Sequence, residues 1–86
     1  MNSELRSFLD PAIQMKKLLC ITLQSTLFEH TITSHIYYYA ITDSNEIELY
    51  VEDDDVIVLN DDFNVRFEDD EVIIYNGDNR IIMSYT

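Results

Sequence analysis

The sequence predicts an α+β domain in which an N-terminal helix packs on a five- or six-stranded antiparallel β-meander. Three observations carry this expectation. Apolar residues alternate with polar ones over most of the chain from Ile36 to Tyr85, the period of a half-buried strand. Short segments rich in Asp, Asn and Gly break that alternation at hairpin intervals. Before it, Met15, Leu18, Leu19, Leu23 and Leu27 recur at three- and four-residue spacing, the mark of a helical stripe. With 86 residues, 47% of them hydrophobic, the chain suits a single domain, residues 1–86, with one small core. Residues 1–30 should be mainly helical and 35–86 should form the sheet.

Taken in order, Ser3 to Leu9 suit a short helical turn with Ser3 as N-cap. Asp10-Pro11 should restart the structure, because Asp accepts bonds from free amides and Pro is preorganised for a first helical position. A helix from about Pro11 to Glu29 follows, its stripe widened by Ile13, Cys20, Ile21 and Phe28. A strand over Leu19 to Leu23 competes, since Leu, Ile and Leu there alternate with Cys and Thr. Thr31, Ile32 and Thr33 favour strand over helix, so the period should change near His30. Strands are expected at 35–42, 46–52, 56–59, 63–68, 71–75 and 80–85, joined by loops of hairpin length, the last at Asn76-Gly77.

Pairing across these loops fixes which residues share a face. Ile41 should face Ile47, Tyr39 Leu49 and Tyr37 Val51. Val51 should then face Ile57, and Leu49 Leu59. Next come Leu59 with Phe63 and Ile57 with Val65, then Phe67 with Val72 and Val65 with Ile74. Ile81, Met83 and Tyr85 fall in the same set, which the helix should cover. The opposite face carries Ile36, Tyr38, Tyr50, Val56, Val58, Ile73, Tyr75 and Ile82 among polar residues. Either the sheet coils to bury them or they form an interaction surface ringed by acids.

Charge narrows the function. Residues 43 to 78 hold 14 of the 17 carboxylates and one base, Arg66, a formal charge of −13 within a chain of −12. The acids gather at Glu52-Asp53-Asp54-Asp55, Asn60-Asp61-Asp62, Glu68-Asp69-Asp70-Glu71 and Asn76-Gly77-Asp78-Asn79. In a meander the first and third of these runs lie at one end of the sheet, two strand spacings or roughly 10 Å apart. Five strands span about 19 Å, over which a DNA duplex carries about 11 phosphates. A basic nucleic-acid-binding protein is the partner this density suits, with Tyr38, Glu48, Tyr50, Glu52, Asp53, Asp54, Asp55, Glu68, Asp69, Asp70, Glu71 and Tyr75 as the partner-binding residues. The plainer reading is a solvated acidic rim that maintains solubility. Direct binding to nucleic acid is not expected, because like charges repel. The alternative function is an acidic assembly module that forms a homodimer through the outer sheet face.

Other chemistries find little support. The acidic runs lack the spaced Asp-x-Asp-x-Asp-Gly loop and distal Glu of a calcium site. His30 and His35 have no third ligand at matching spacing. No Ser-His or Cys-His arrangement and no glycine-rich phosphate loop is present, so neither an enzyme nor a cofactor is expected. The lone Cys20 cannot form an intramolecular disulfide, which suits a cytoplasmic protein, and reads most simply as a small core residue. The apolar run near residues 15–23 is too short to span a membrane and starts too late for a signal peptide.

At class level, the chain resembles the small acidic phage-encoded inhibitors that imitate DNA, among them anti-restriction, anti-CRISPR and uracil-DNA glycosylase inhibitor proteins. The closing hairpin from Glu71 through Asn76-Gly77 to Met83 is similar to that of the uracil-DNA glycosylase inhibitors. Their Glu-Ser-Ile edge motif has no clear counterpart; Gln24-Ser25-Thr26-Leu27 is the nearest string and lacks the Glu. The resemblance implies an inhibitor of the anti-restriction, anti-CRISPR or DNA-repair type, acting in the host-cell cytoplasm if phage-encoded, and carries over no particular target.

Overall fold

The computed structural model describes residues 3–44, 46–59 and 63–86, so the expected turn at Asn60-Asp61-Asp62 lies outside the described residues. Helix α1 spans Ser3–Gln14 and buries Leu5, Leu9 and Ala12, one stripe at four- and three-residue spacing. The helix therefore runs through Asp10-Pro11 instead of restarting there, with Pro11 on the exposed side of the last turn. It stops where Lys16 adopts a left-handed φ of 52°. Lys16 N–H donates to Ile13 O at 3.2 Å and Lys17 N–H to Ala12 O at 2.9 Å, the paired bonds of a Schellman cap.

The expected helix over 11–29 is thus corrected beyond Gln14. Leu19–Gln24 form strand β1 and Glu29–Ser34 strand β2, joined by a hairpin in which Ser25 N–H donates to Phe28 O at 2.9 Å. Leu19 and Ile21 are buried, whereas Met15, Leu18, Leu27 and Phe28, which completed the helical stripe, are exposed. The alternation from 19 to 23 wins because β1 lies between two strands, β2 and β8, and has an apolar inner face to fill. Cys20 consequently sits half-buried on the outer side of β1.

The remaining strands are β3 (Ile36–Ile41), β4 (Ile47–Val51), β5 (Val56–Leu59), β6 (Asn64–Glu68), β7 (Glu71–Asn76) and β8 (Asn79–Tyr85). They do not form one meander. A five-stranded antiparallel sheet runs β2-β1-β8-β7-β6 and a three-stranded one β3-β4-β5, eight strands where five or six were expected. His35 alone links β2 to β3. The expected β5–β6 hairpin, Leu59 with Phe63 and Ile57 with Val65, is replaced by a passage from one sheet to the other.

Within each sheet the faces match expectation except at Ile36 and Tyr37, and two registers differ. Tyr39 pairs with Leu49 and Ile41 with Ile47, but a bulge between Ile36 and Tyr38 places Ile36, not Tyr37, opposite Val51. Ile36 is accordingly buried and Tyr37 exposed. Across the next turn Leu49 meets Ile57 and Ile47 meets Leu59, two residues from the expected register. A two-residue slip preserves side-chain parity, so the same residues still point inward. Phe67 pairs with Val72, Val65 with Ile74, Val72 with Met83 and Ile74 with Ile81, as expected. Gly77 begins the last turn at φ 59°, as a two-residue hairpin turn requires.

The core forms where the two inner faces and α1 meet. Leu19, Ile21, Val72, Ile74, Ile81 and Met83 come from the larger sheet, Ile36, Ile47, Leu49, Val51 and Leu59 from the smaller, and Leu5, Leu9 and Ala12 from the helix. The helix thus shares with a second sheet the task of covering the apolar face. Among the described residues no helix is long and apolar enough to cross a membrane.

Candidate protein-interaction surface

Among the described residues the outer face of β3-β4-β5 is left open, and alternation decides what it carries. Cross-strand register aligns Tyr38 with Tyr50 and Tyr50 with Val56 in one row, and Ala40 with Glu48 and Glu48 with Val58 in the next. Tyr38, Val56 and Val58 are 60%, 43% and 47% exposed, which gathers apolar surface in two adjacent rows. The rings of Tyr38 and Tyr50 lie 5.4 Å apart, tilted by 56°, a favourable aromatic geometry.

Tyr50 Oη donates a hydrogen bond of 3.1 Å to Glu48 Oε1. That bond, and secondly the carboxylate's charge, push the Tyr50 phenol above its ordinary pKa, because both oppose a phenolate. Glu48→Gln should therefore bring the Tyr50 titration back down toward the ordinary tyrosine value. Ultraviolet or NMR titration of the two proteins would read this, and an unchanged Tyr50 would show that the pair is not formed in solution.

Glu52, Asp53, Asp54 and Asp55 follow directly from the end of β4 and bound this face. Val51 N–H donates to Asp55 O at 3.0 Å, and Asp53 and Asp54 adopt φ values of 65° and 59°. Asp tolerates the left-handed region better than most residues, so turn geometry explains part of this acidity. It does not explain Glu52 or Asp55. Glu52 Oε1 lies 2.6 Å from His35 Nδ1, and its amide donates at 3.1 Å to the Oγ of buried Ser34. These bonds fix the start of the acidic turn to the junction between the sheets.

The other expected partner-binding residues lie on the five-stranded sheet. Tyr75 is half-buried on the outer side of β7 with the Arg66 guanidinium 5.7 Å from its ring centroid. Glu68 is held by Arg66 at 3.1 Å. Asp69, at φ 52°, with Asp70 and Glu71 borders a hollow that Phe8, Phe67, Val72 and Tyr85 complete. Tyr38, Glu48, Tyr50 and Glu52–Asp55 are therefore one surface, and Tyr75 and Glu68–Glu71 belong to another. The 10 Å spacing expected between the two acidic runs fails with the single sheet on which it rested, because no continuous ladder connects β5 to β6.

Sequence reasoning placed Val56 and Val58 on the outer face without counting them as binding residues; their alternation with Ile57 and Leu59 was the available signal. It also missed the exposed Leu27-Phe28 tip, which the helical reading hid. Phe28, Val56 and Val58 share a groove of about 520 Å³ with Gln24, Asn79 and Arg80. Among the described residues no three His, Cys, Asp or Glu side chains converge to hold a metal ion. Compared with known protein families, curated proteins and solved structures, the chain matches none of them.

Proposed function

We propose that this protein is an acidic inhibitor of the DNA-mimic kind, which blocks a basic nucleic-acid-binding protein by occupying its groove. The observation that carries this reading is the exposed Tyr38/Tyr50/Val56/Val58 face with Glu48 at its centre and the Glu52–Asp55 turn at its border. Apolar contact at the centre and charge at the margin are the anatomy of a protein-binding patch, and a net charge of −12 selects a basic partner. Targets of the anti-restriction, anti-CRISPR and DNA-repair type fit that chemistry. A homodimer through the same face is disfavoured, since it would bring together two surfaces of like charge.

Neutralising the turns tests the proposal. Asp53→Asn, Asp54→Asn, Asp69→Asn and Asp70→Asn together remove four charges, and Asn accepts the left-handed φ of Asp53, Asp54 and Asp69 as readily as Asp. Once a basic partner has been captured and identified, the variant should associate with it about tenfold more slowly and with a flatter salt dependence. Tyr38→Ala or Tyr50→Ala should instead speed dissociation, by about 1 kcal/mol or more in affinity. A quadruple variant that matches wild type in rate and salt response would reduce the acids to a solvated rim.

A further inference from the structure

We infer that β2 is a self-pairing edge through which two copies of this chain join their five-stranded sheets. The sheets leave four edge strands, and three of them are guarded. β3 carries a bulge and lies against α1. The four residues of β5 follow directly on Asp53-Asp54-Asp55. β6 bears the Arg66–Glu68 pair and runs into Glu68–Glu71. Bulges, charges and short length are the usual protections of an edge. β2 has neither bulge nor short length and little charge: it is six residues long, regular in register, free of Pro and Lys, and carries one carboxylate, Glu29, at its first position.

Backbone direction follows from the hairpin. Ser25 N–H bonds to Phe28 O, and such pairs recur at every second residue, so His30, Ile32 and Ser34 turn their amides and carbonyls toward β1. Glu29, Thr31 and Thr33 turn theirs outward. The short contacts between the side chains of Thr22 and Thr31, 3.0 Å, and of Gln24 and Glu29, 2.7 Å, agree, since side chains approach most closely at the pairs that are not backbone-bonded. Antiparallel pairing about Thr31 satisfies every outward group. It sets Thr31 opposite Thr31 of the second copy, Glu29 opposite Thr33, and His30 opposite Ile32.

Two further features select a second copy as the occupant. Along β2 itself Glu29 is the only carboxylate and stands opposite Thr33, so the middle of the seam sets no acid against another; the acids near its ends are Glu52, which His35 partners at 2.6 Å, and Asp78, which shares a hollow with Leu27. Carried two residues past Glu29, the same register sets Leu27 beside His35 of the second copy. There Ile13, Ile36 and Tyr37 line a pocket of about 320 Å³, and Leu27, 93% exposed, is the most exposed large apolar side chain described. The two-fold repeats this contact at both ends of the seam.

Sedimentation equilibrium of the full chain tests the inference and separates it from partner binding. Screening weakens the mutual repulsion of two acidic copies, so dimer should increase between about 0.05 and 0.5 M salt, whereas attraction to a basic partner should weaken. Leu27→Asp, at a site that makes no demand on the fold, should weaken dimerisation about tenfold or more. In a Cys20→Ser background, Thr31→Cys should oxidise to a covalent dimer, because directly opposed residues have Cα atoms about 5.5 Å apart, within disulfide reach. Thr33→Cys should not, its two copies being offset by roughly 14 Å along the strands. A monomer at both salts, equal cross-linking at the two positions, or unaltered dimerisation of the Leu27→Asp protein overturns the inference.

Discussion

Leu49→Ala should lower the unfolding free energy by about 2–5 kcal/mol, a large share of the about 5–15 kcal/mol that holds an ordinary domain together. Leu49 is completely buried in the middle of β4, paired with Tyr39 on one side and Ile57 on the other. It faces a core to which both sheets and the helix contribute, so the space it leaves is walled by three elements. Val58, on the outer side of the same sheet, is the control: Val58→Ala should change stability by no more than about 0.5 kcal/mol. Urea denaturation followed by circular dichroism would measure both. A small effect at Leu49 with a larger one at Val58 would mean that the inner and outer faces have been exchanged.

Ser34→Ala should cost about 1–3 kcal/mol, far more than the loss of one exposed hydroxyl. Ser34 is the only polar residue that is buried among those described, at 3% exposure. Its Oγ donates to His35 O at 2.8 Å and accepts from Glu52 N at 3.1 Å, tying the end of the large sheet to the turn that closes the small one. Alanine fits the space and strands both backbone groups. Thr33→Ala, one residue away and exposed, should be nearly neutral in the same denaturant titration. If the two variants behave alike, the Ser34 hydroxyl is not a link between the sheets.

Parity was the most legible property of this sequence. Side chains alternate strictly along a strand, so Tyr50, Val56 and Val58 came out on one face even though the β4–β5 register differs by two residues. The bulge at Tyr37 marks the limit of that inference, since an inserted residue inverts parity on one side of it, and Ile36 changed faces accordingly. The helix was misplaced because Leu18, Leu19, Leu23 and Leu27 satisfy a period of 3.6 while Leu19, Ile21 and Leu23 satisfy a period of 2. Nothing local breaks that tie. A glycine past Gln14 would have signalled the stop; Lys16 makes the same left-handed cap without announcing it.

The division into two sheets was hidden for a different reason. Leu59 and Phe63 flank a connection short enough for a hairpin, and whether a chain pairs back or crosses to another layer depends on partners distant in sequence. The vacant side of β8 was taken by β1, not by anything adjacent in sequence. Tyr75 and Glu68–Glu71 were therefore grouped with Tyr50 and Glu52–Asp55 on a common surface that the real topology divides.

The pairing of β1 with β8 also governs how the protein comes to be folded. Leu19 faces Tyr85 and Gln24 faces Arg80, partners separated by more than fifty residues, and these two strands form the middle of the larger sheet. Closing so long a loop costs entropy before any contact rewards it, which places this topology among the slower folders, on the order of milliseconds to seconds. Until β8 arrives, β1 and β2 can exist only as a lone hairpin with an apolar face exposed, and an isolated hairpin is marginal in water. During synthesis the three-stranded sheet is complete in sequence well before the five-stranded one can close. The strong negative charge of residues 43–78 then acts on the growing chain as well as on the finished surface, keeping unfinished copies apart while Leu19, Ile21 and Leu23 wait for their partner strand.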